Sequence, residues 1–379
     1  MRILQVNKLY TPWIGGIETV VQDLAEGLKE FPDHDCEVLV CRERGRGVRD
    51  SVNGVQVTRV ASLGRFLSTP VAPRFASQLQ QMAPEFDIIH VHVPFPLAMF
   101  CNWRAIRNRG VRLVIHHHSD IVRPVQQMFL DRMGGVERRF MESADRIIVT
   151  SEGLLRNSRT LAPYRDKCQV IPLSIDLTRI RPLLPSDVAA ARSRHGLDSC
   201  DRVLLFAGRL VYYKGLQYLI EAVRDLDAEL FIAGDGPLRP ALEKQIRELN
   251  LAGKVHILGR VTDAELSDLY SLADLFVLPS TEPSEAFGIV QLEAMANGLP
   301  VVNTNLPSGV PSVSLHGVTG LTVPPADSEA LREAISSILS DGELRKKFAS
   351  NSRERVQLFS RPAVLNQIRS VYDDLVAKK

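Results

Sequence analysis

Two carboxylates, Glu285 and Glu293, stand at the ends of the apolar stretch "EPSEAFGIVQLEAM". So apolar a run packs a helix onto a sheet, and an acid at either end is a solvated surface group or part of a ligand site. The preceding "LFVLPS" reads as a strand and "TEPSEAF" as a loop, with a helix beginning near Gly288. Glu285 then lies just ahead of the helix and Glu293 inside it. Both can face a ligand at the helix mouth, beside the free amides of Phe287, Gly288, Ile289 and Val290. Upstream, "FAGRLVYYKGLQYLIEA" sets Arg209 directly after a strand-ending glycine and Lys214 at the start of the next helix. Two fixed cations beside a helix N-terminus suit a diphosphate, and a solvated Arg/Lys pair is the bland alternative. This is no P-loop, because the GxxxxGK spacing is missing and no Ser or Thr follows the lysine.

The equivalent junction near the N-terminus, "LYTPWIGGIETV", opens a helix with Gly15 and Gly16. Bare backbone there admits an anion or simply makes a tight turn. The dinucleotide fingerprint GxGxxG is absent, which removes most support for NAD. Gly-rich strand exits recur at "FIAGDGP" and "HILGRVTDAEL" and could read a flat ring edge, though turn chemistry alone explains each. Histidines gather in "DIIHVHV" and "RLVIHHH". Strand alternation puts His116 and His118 on one face and His117 on the other. No carboxylate or cysteine near them has a recognisable ligand spacing, so no metal is expected. They read as core histidines, with His118 at the strand end turned to the cleft and Asp120 placed to orient it or to touch a sugar hydroxyl.

The elements that must hold these residues alternate along all 379 positions. "RILQV", "CEVLVC", "VQVTRV", "DIIHVHV", "RLVIHHH", "RIIVTS" and "CQVIPL" are strand-like. The plan repeats with "RVLLFAG", "AELFIAG", "KVHILG", "LFVLPS", "PVVNT" and "GLTV". Helical patterns at 17–29, 215–224 and 238–250 lie between, and a helical tail follows. This predicts an α/β protein with two Rossmann-like domains whose parallel sheets face a cleft. The prolines of "SIDLTRIRPLLPSD" place the boundary near residue 177, giving domains 1–177 and 178–361.

Composition narrows the function classes. No apolar run approaches a membrane span of ~18–20 residues, and no h-region of a signal peptide opens the chain. Five scattered cysteines without CxxC spacing argue for a reducing cytoplasm. Through residue 177 there are 23 Lys+Arg against 19 Asp+Glu, and beyond it 23 against 25. That mild basic bias, with few aromatics, excludes nucleic acid as the expected partner. It leaves peripheral contact with the inner face of an anionic membrane open, as does the apolar loop "VPFPLAMF", which is equally well explained as core.

Together, "GGIE", "HHHSD", "GRLVYYKG", "AGDGP" and "SEAFGIVQLEAMANGLPVV" resemble the retaining nucleotide-sugar glycosyltransferases of the GT-B fold, glycosyltransferase family 4 in particular. The E-x7-E pattern of Glu285 and Glu293 is the most specific motif, and the likeness spans nearly the whole chain in order. It implies that Arg209 and Lys214 grip the donor diphosphate and replace a metal ion, so neither metal nor cofactor is expected. It implies that Glu285, with Ala286 beside it, contacts the donor sugar, and that the 287–290 amides hold sugar and phosphate. Glu293 would bind the ribose, Arg260 and Val261 would bracket the base, and Leu266 would pack beside it. Gly15 and Gly16 would approach the phosphates, His118 would reach the donor sugar, and His92 and Asp120 are acceptor-side candidates. The tail helix 362–379 would return to the first domain. "LSID", from Leu173 to Asp176, departs from the family's "NGxD".

"HSDIVRP" and "SEAFGIVQLEAM" further resemble bacterial polysaccharide-assembly enzymes. These imply a UDP-hexose donor, with GDP-mannose second, and an oligosaccharide or polyprenyl-linked acceptor. A nucleotide-sugar 2-epimerase of similar fold and a non-catalytic sugar-binding protein are the rival readings.

Overall fold

In the computed structural model the described residues are 1–13, 15–66, 69–120, 134–197 and 201–377. Ile14, Cys200, residues 121–124 of "HSDIVRP" and the last two residues of the expected tail helix lie outside them. The chain divides into two compact units, one of Met1–Ser174 with Arg361–Lys379 and one of Ile175–Ser360.

The first unit is built on β1 (Arg2–Val6), β2 (Asp35–Cys41), β3 (Val48–Val52) and β4 (Val55–Val60). The short pair β5 (Arg65–Phe66) and β6 (Thr69–Pro70) follows, then β7 (Ile88–Val93), β8 (Arg112–His117), β9 (Arg146–Val149) and β10 (Cys168–Val170). Its main sheet runs β10-β9-β8-β7-β1-β2-β4-β3. All neighbours pair in parallel except β3, which is antiparallel to β4. The strand-and-helix reading omits β3, although Asn53 and Gly54 turn the chain with φ of 49° and 79°. Both values are positive, as a two-residue hairpin turn of matching twist requires.

The inner strands have the continuous apolar pattern of a sheet covered on both faces. Phe75 and Phe95 meet edge-on at 4.9 Å in the core beside it. Most of the loop "VPFPLAMF" also joins this core, and only Phe100 in it is exposed among the large apolar side chains. Apart from Phe100, the apolar letters of that loop are therefore largely core.

The second unit contains β11 (Val203–Ala207), β12 (Glu229–Ala233), β13 (Val255–Gly259), β14 (Leu275–Leu278), β15 (Val301–Thr304) and β16 (Gly320–Val323). They form one parallel sheet in the order β13-β12-β11-β14-β15-β16. The chain leaves β11 toward β12 on one side and returns to β14 on the other. That reversal opens a crevice at the carboxyl ends of β11 and β14, where ligands of open α/β sheets bind.

The tail helix, Arg361–Ala377, belongs to the first unit. Its buried Val364, Leu365, Ile368, Val371, Tyr372 and Leu375 fall on one helical stripe. The Tyr372 hydroxyl lies 2.6 Å from His90 Nδ1 and accepts a 3.2 Å bond from Gln5 Nε2. Tyr372→Phe strips a partner from two buried nitrogens, and leaving such groups unsatisfied costs about 1–3 kcal/mol each. The expected result is a lower urea midpoint for this variant, read by far-UV circular dichroism. An unchanged midpoint would mean the hydroxyl does not tie the helix to the sheet.

Candidate functional site

Gly208 ends β11, and Arg209 follows on the surface, in no ion pair among the described residues. Three residues, Tyr212–Lys214, make a single 3-10 turn that carries Lys214 back under the loop. Gly215 then takes a left-handed φ of 67°, where a Cβ would stand only 2.0 Å from the Pro279 carbonyl oxygen. Only glycine lets the start of one helix press against the segment that leaves β14. Lys214 is thereby buried next to Glu285, and the two form an ion pair. Ser280 Oγ donates to Glu285 Oε2 at 3.1 Å. Sequence reasoning had Lys214 and Glu285 as separate ligand groups, whereas the fold makes them one buried unit.

The helix of the opening stretch spans Val290–Ala296, two residues later than expected. Glu285 lies in the loop before it and Glu293 in its first turn. Gln291 fixes the turn, its Nε2 donating to the carbonyls of Phe287 at 3.2 Å and Val310 at 3.3 Å. Asn303 Nδ2 donates to Gln291 Oε1 at 2.8 Å, and Gly309 N to the Ala286 carbonyl at 2.7 Å. Among the described residues, the amides of Phe287, Gly288, Ile289 and Val290 have no backbone acceptor. The carboxylate of Glu293 accepts 2.8 Å from the Tyr270 hydroxyl, and burial raises its pKa despite that bond. Tyr270 and Ser280 were not anticipated. The only signal for either is that a part-buried acid needs a donor.

Arg260 and Val261 leave β13 with Arg260 exposed and Val261 half-buried. A capping box follows, in which Thr262 Oγ1 accepts from Glu265 N at 3.2 Å and Glu265 Oε2 from Thr262 N at 2.7 Å. It sets the direction of the helix that carries half-buried Leu266. These residues, with Arg209, Lys214, Glu285 and Glu293, all belong to the second unit.

The remaining expected residues belong to the first unit. Gly15 caps the helix Gly16–Leu28, and the Glu18 carboxylate folds back over it. An acid thus lies at the helix mouth assigned to phosphate. His90, His92, His116 and His118 form a buried row on one face of β7 and β8. Neighbouring rings lie 4.2–5.3 Å apart and within 3–29° of parallel. His92 Nδ1 is 3.0 Å from His118 Nε2, and its Nε2 is 2.8 Å from Gln5 Oε1. Candidate ligand atoms of His90, His92 and His116 lie within 4.8 Å of one another. Near-parallel rings do not aim their in-plane lone pairs at one point, as a tetrahedral ion at about 2.0–2.1 Å requires. His90 Nε2, both ring nitrogens of His116 and His118 Nδ1 have no hydrogen-bond partner among the described residues.

Asp120 does not orient His118. Its Oδ1 lies 2.8 Å from His117 Nε2 and accepts from Ser158 Oγ at 2.7 Å. Strand alternation turns His117 to the opposite face, and Asp120 meets it there. His117, Ser119, Asp120 and Glu137 line a small hollow there. At "LSID", Ser174 Oγ donates to Asp23 Oδ2 at 3.3 Å, and Asp176 caps the turn Leu177–Arg179.

Known proteins resemble the chain in both halves. A family described as "Glycosyltransferase Family 4" matches residues 14–179, and one described as "Glycosyl transferases group 1" matches residues 187–355. D-rhamnosyltransferase WbpZ of Pseudomonas aeruginosa is 32% identical over 95% of this chain and 92% of its own length. O-antigen chain mannosyltransferase C of Escherichia coli is 28% identical over 100% of both. The crystal structure of Anabaena HepE in complex with UDP matches with a TM-score of 0.80 at 25% identity, over 99% of this chain and 100% of that one.

Burial lowers the pKa of all four stacked histidines, and that of His116 falls to about 3. In the unfolded chain each imidazole takes a proton near pH 6.5, while in the folded unit it stays neutral. Stability is therefore full above pH 6.5 and falls as pH drops below it. The loss is about 1.4 kcal/mol per pH unit for each histidine that titrates only when unfolded. Urea midpoints should be lower at pH 5.5 than at pH 7.5, and His116→Leu should flatten that dependence.

Proposed function

The chain belongs to the group 1 glycosyltransferases of the GT-B fold, and from that membership we propose a retaining, metal-independent hexosyl transfer in bacterial polysaccharide assembly. The donor is a nucleotide-diphosphate sugar, and the acceptor an oligosaccharide or polyprenyl-linked glycan met at the inner face of the membrane. The observation that carries this reading is the buried Lys214–Glu285 pair, with exposed Arg209, at the switch point between β11 and β14. A cation for the diphosphate and an acid for sugar hydroxyls are held there as one unit.

The chemistry assigns each group a task. As the bond from the anomeric carbon to the diphosphate oxygen breaks, positive charge develops on the sugar and negative charge on the leaving group. Arg209 and Lys214, with the amides of Phe287–Val290, stabilise the leaving diphosphate from fixed positions, the arrangement that lowers such barriers most. Glu285 holds a sugar hydroxyl, and Glu293 accepts from the ribose. A covalent double displacement needs a carboxylate nucleophile, and Glu285 is already engaged by Lys214 and Ser280. The acceptor oxygen therefore attacks from the leaving-group face, and its proton passes to the departing phosphate oxygen.

For the donor, the motifs favour a UDP-hexose, and the UDP in the HepE structure is consistent with it. The relatives named for mannosyl and D-rhamnosyl transfer match 100% and 95% of the chain and favour a manno-configured sugar. GDP-mannose is the reading adopted, because it is the donor considered whose sugar is specified as mannose. In thermal-shift titrations GDP should raise the melting temperature more than UDP, and the reverse order would return the assignment to UDP-hexose. Slow release of free nucleotide, rather than formation of a 2-epimer, is the expected turnover product without acceptor.

The two acids should separate in mutants. Glu293→Ala should weaken nucleotide binding about ten-fold or more, as loss of a hydrogen bond to a charged group does. Glu285→Ala should chiefly lower kcat. Equal loss of binding in both, by calorimetry, would contradict this division.

A further inference from the structure

Although the chain's formal charge is only +2, the segment from Arg42 to Arg74 contains seven arginines against the two acids Glu43 and Asp50. Both acids are engaged, Glu43 by Arg65 at 3.0 Å and Asp50 by Arg59 at 3.0 Å. Arg42, Arg44 and Arg46 are exposed and are in no ion pair among the described residues. Next to them the chain displays what a soluble surface normally hides. Leu63 is 75% exposed and Phe66 70%, the two most exposed large apolar side chains among the described residues.

Backbone bonds make these groups one surface. Gly45 and Ser62 exchange both hydrogen bonds, at 2.7 and 3.0 Å, which seats the arginine loop beside the β5–β6 pair. Arg65 bridges the two, bonded to Glu43 on one side and lying 4.4 Å over the Trp13 ring on the other. The edge of the first unit thus offers Leu63, Phe66 and Trp13 beside the exposed Arg42, Arg44 and Arg46, of which Arg42 Nη1 donates to the Arg46 carbonyl at 3.1 Å.

We propose that this edge docks the protein onto an anionic lipid surface, with Leu63 and Phe66 entering the headgroup boundary and Arg42, Arg44 and Arg46 facing lipid phosphates. Charge complementarity selects the partner. Each basic residue near an anionic bilayer adds attraction that falls off within a Debye length, and exposed apolar and indole side chains settle at the interface. The surface deepens the membrane part of the reading above. It also replaces the buried loop Val93–Phe100 as the point of contact.

The test uses vesicles of phosphatidylglycerol and phosphatidylcholine, without donor or acceptor, so its failure is distinct from failure of the transfer reaction. The full chain should co-sediment with these vesicles at low salt, less at high salt, and not with phosphatidylcholine alone. Of the two tryptophans, Trp103 is buried, so a blue shift of the emission on binding reports Trp13. Replacing Arg42, Arg44 and Arg46 by glutamine should weaken vesicle binding at least about ten-fold. Leu63→Ser with Phe66→Ser should abolish the blue shift. Circular dichroism checks that each variant remains folded. Absence of wild-type binding at low salt, equal binding to neutral vesicles, or variants that bind like wild type would each overturn the proposal.

Discussion

The candidate donor site depends on one buried ion pair, Lys214 with Glu285. Taking two charges out of water is unfavourable, and their attraction offsets that only when geometry is good and further hydrogen bonds are made. Here the geometry comes from neighbouring parallel strands. β11 delivers Lys214 and β14 delivers Glu285, while Gly215 lets the two exits touch at the Pro279 carbonyl. Ser280 supplies an additional donor to the carboxylate. Such a pair is a weak source of stability but a strong source of position. In the proposed transfer, a diphosphate beside Lys214 would meet an ammonium already desolvated and aimed, so little reorganisation would accompany the developing charge.

The first unit solves a different polar problem with a different device. Four imidazoles are buried together, and burial keeps them neutral. Gln5 and the tail-helix Tyr372 absorb part of their hydrogen-bonding capacity. The tail is therefore more than a cover for an apolar face, because its hydroxyl enters the polar interior of the sheet. Side chains that look from sequence like ligands are here the means by which the last helix recognises the first unit.

Much of this was legible in the sequence, and what was not has physical causes. Alternating strand and helix signals disclose two parallel sheets, because buried parallel strands have continuous apolar runs. The β3–β4 hairpin was missed although "VNGV" announces its turn, since the flanking "VRDSV" is too polar to read as a strand. Glu285 and Glu293 were placed correctly in loop and helix because the prolines and glycine around them punctuate the chain. Their partners were not legible. Tyr270 stands 23 residues from Glu293, and Lys214 meets Glu285 only because the strand order brings β14 beside β11. Asp120 shows the same limit at short range. Alternation separates His117 from His118, but only the path of the chain after the strand decides which of them the acid meets.

The same path matters for chemistry. A carboxylate free in a crevice could serve as a nucleophile, a base or a hydrogen-bond acceptor. Glu285 has a lysine and a serine already bound to the same oxygen, Oε2. Both contacts stabilise the anion and lower its nucleophilicity, while the other oxygen remains able to accept from a hydroxyl. In the proposed transfer, these contacts would leave Glu285 the hydrogen-bonding role. In that transfer, the basicity required for the acceptor proton would then come from the departing diphosphate, whose own negative charge Arg209 and Lys214 would hold in place.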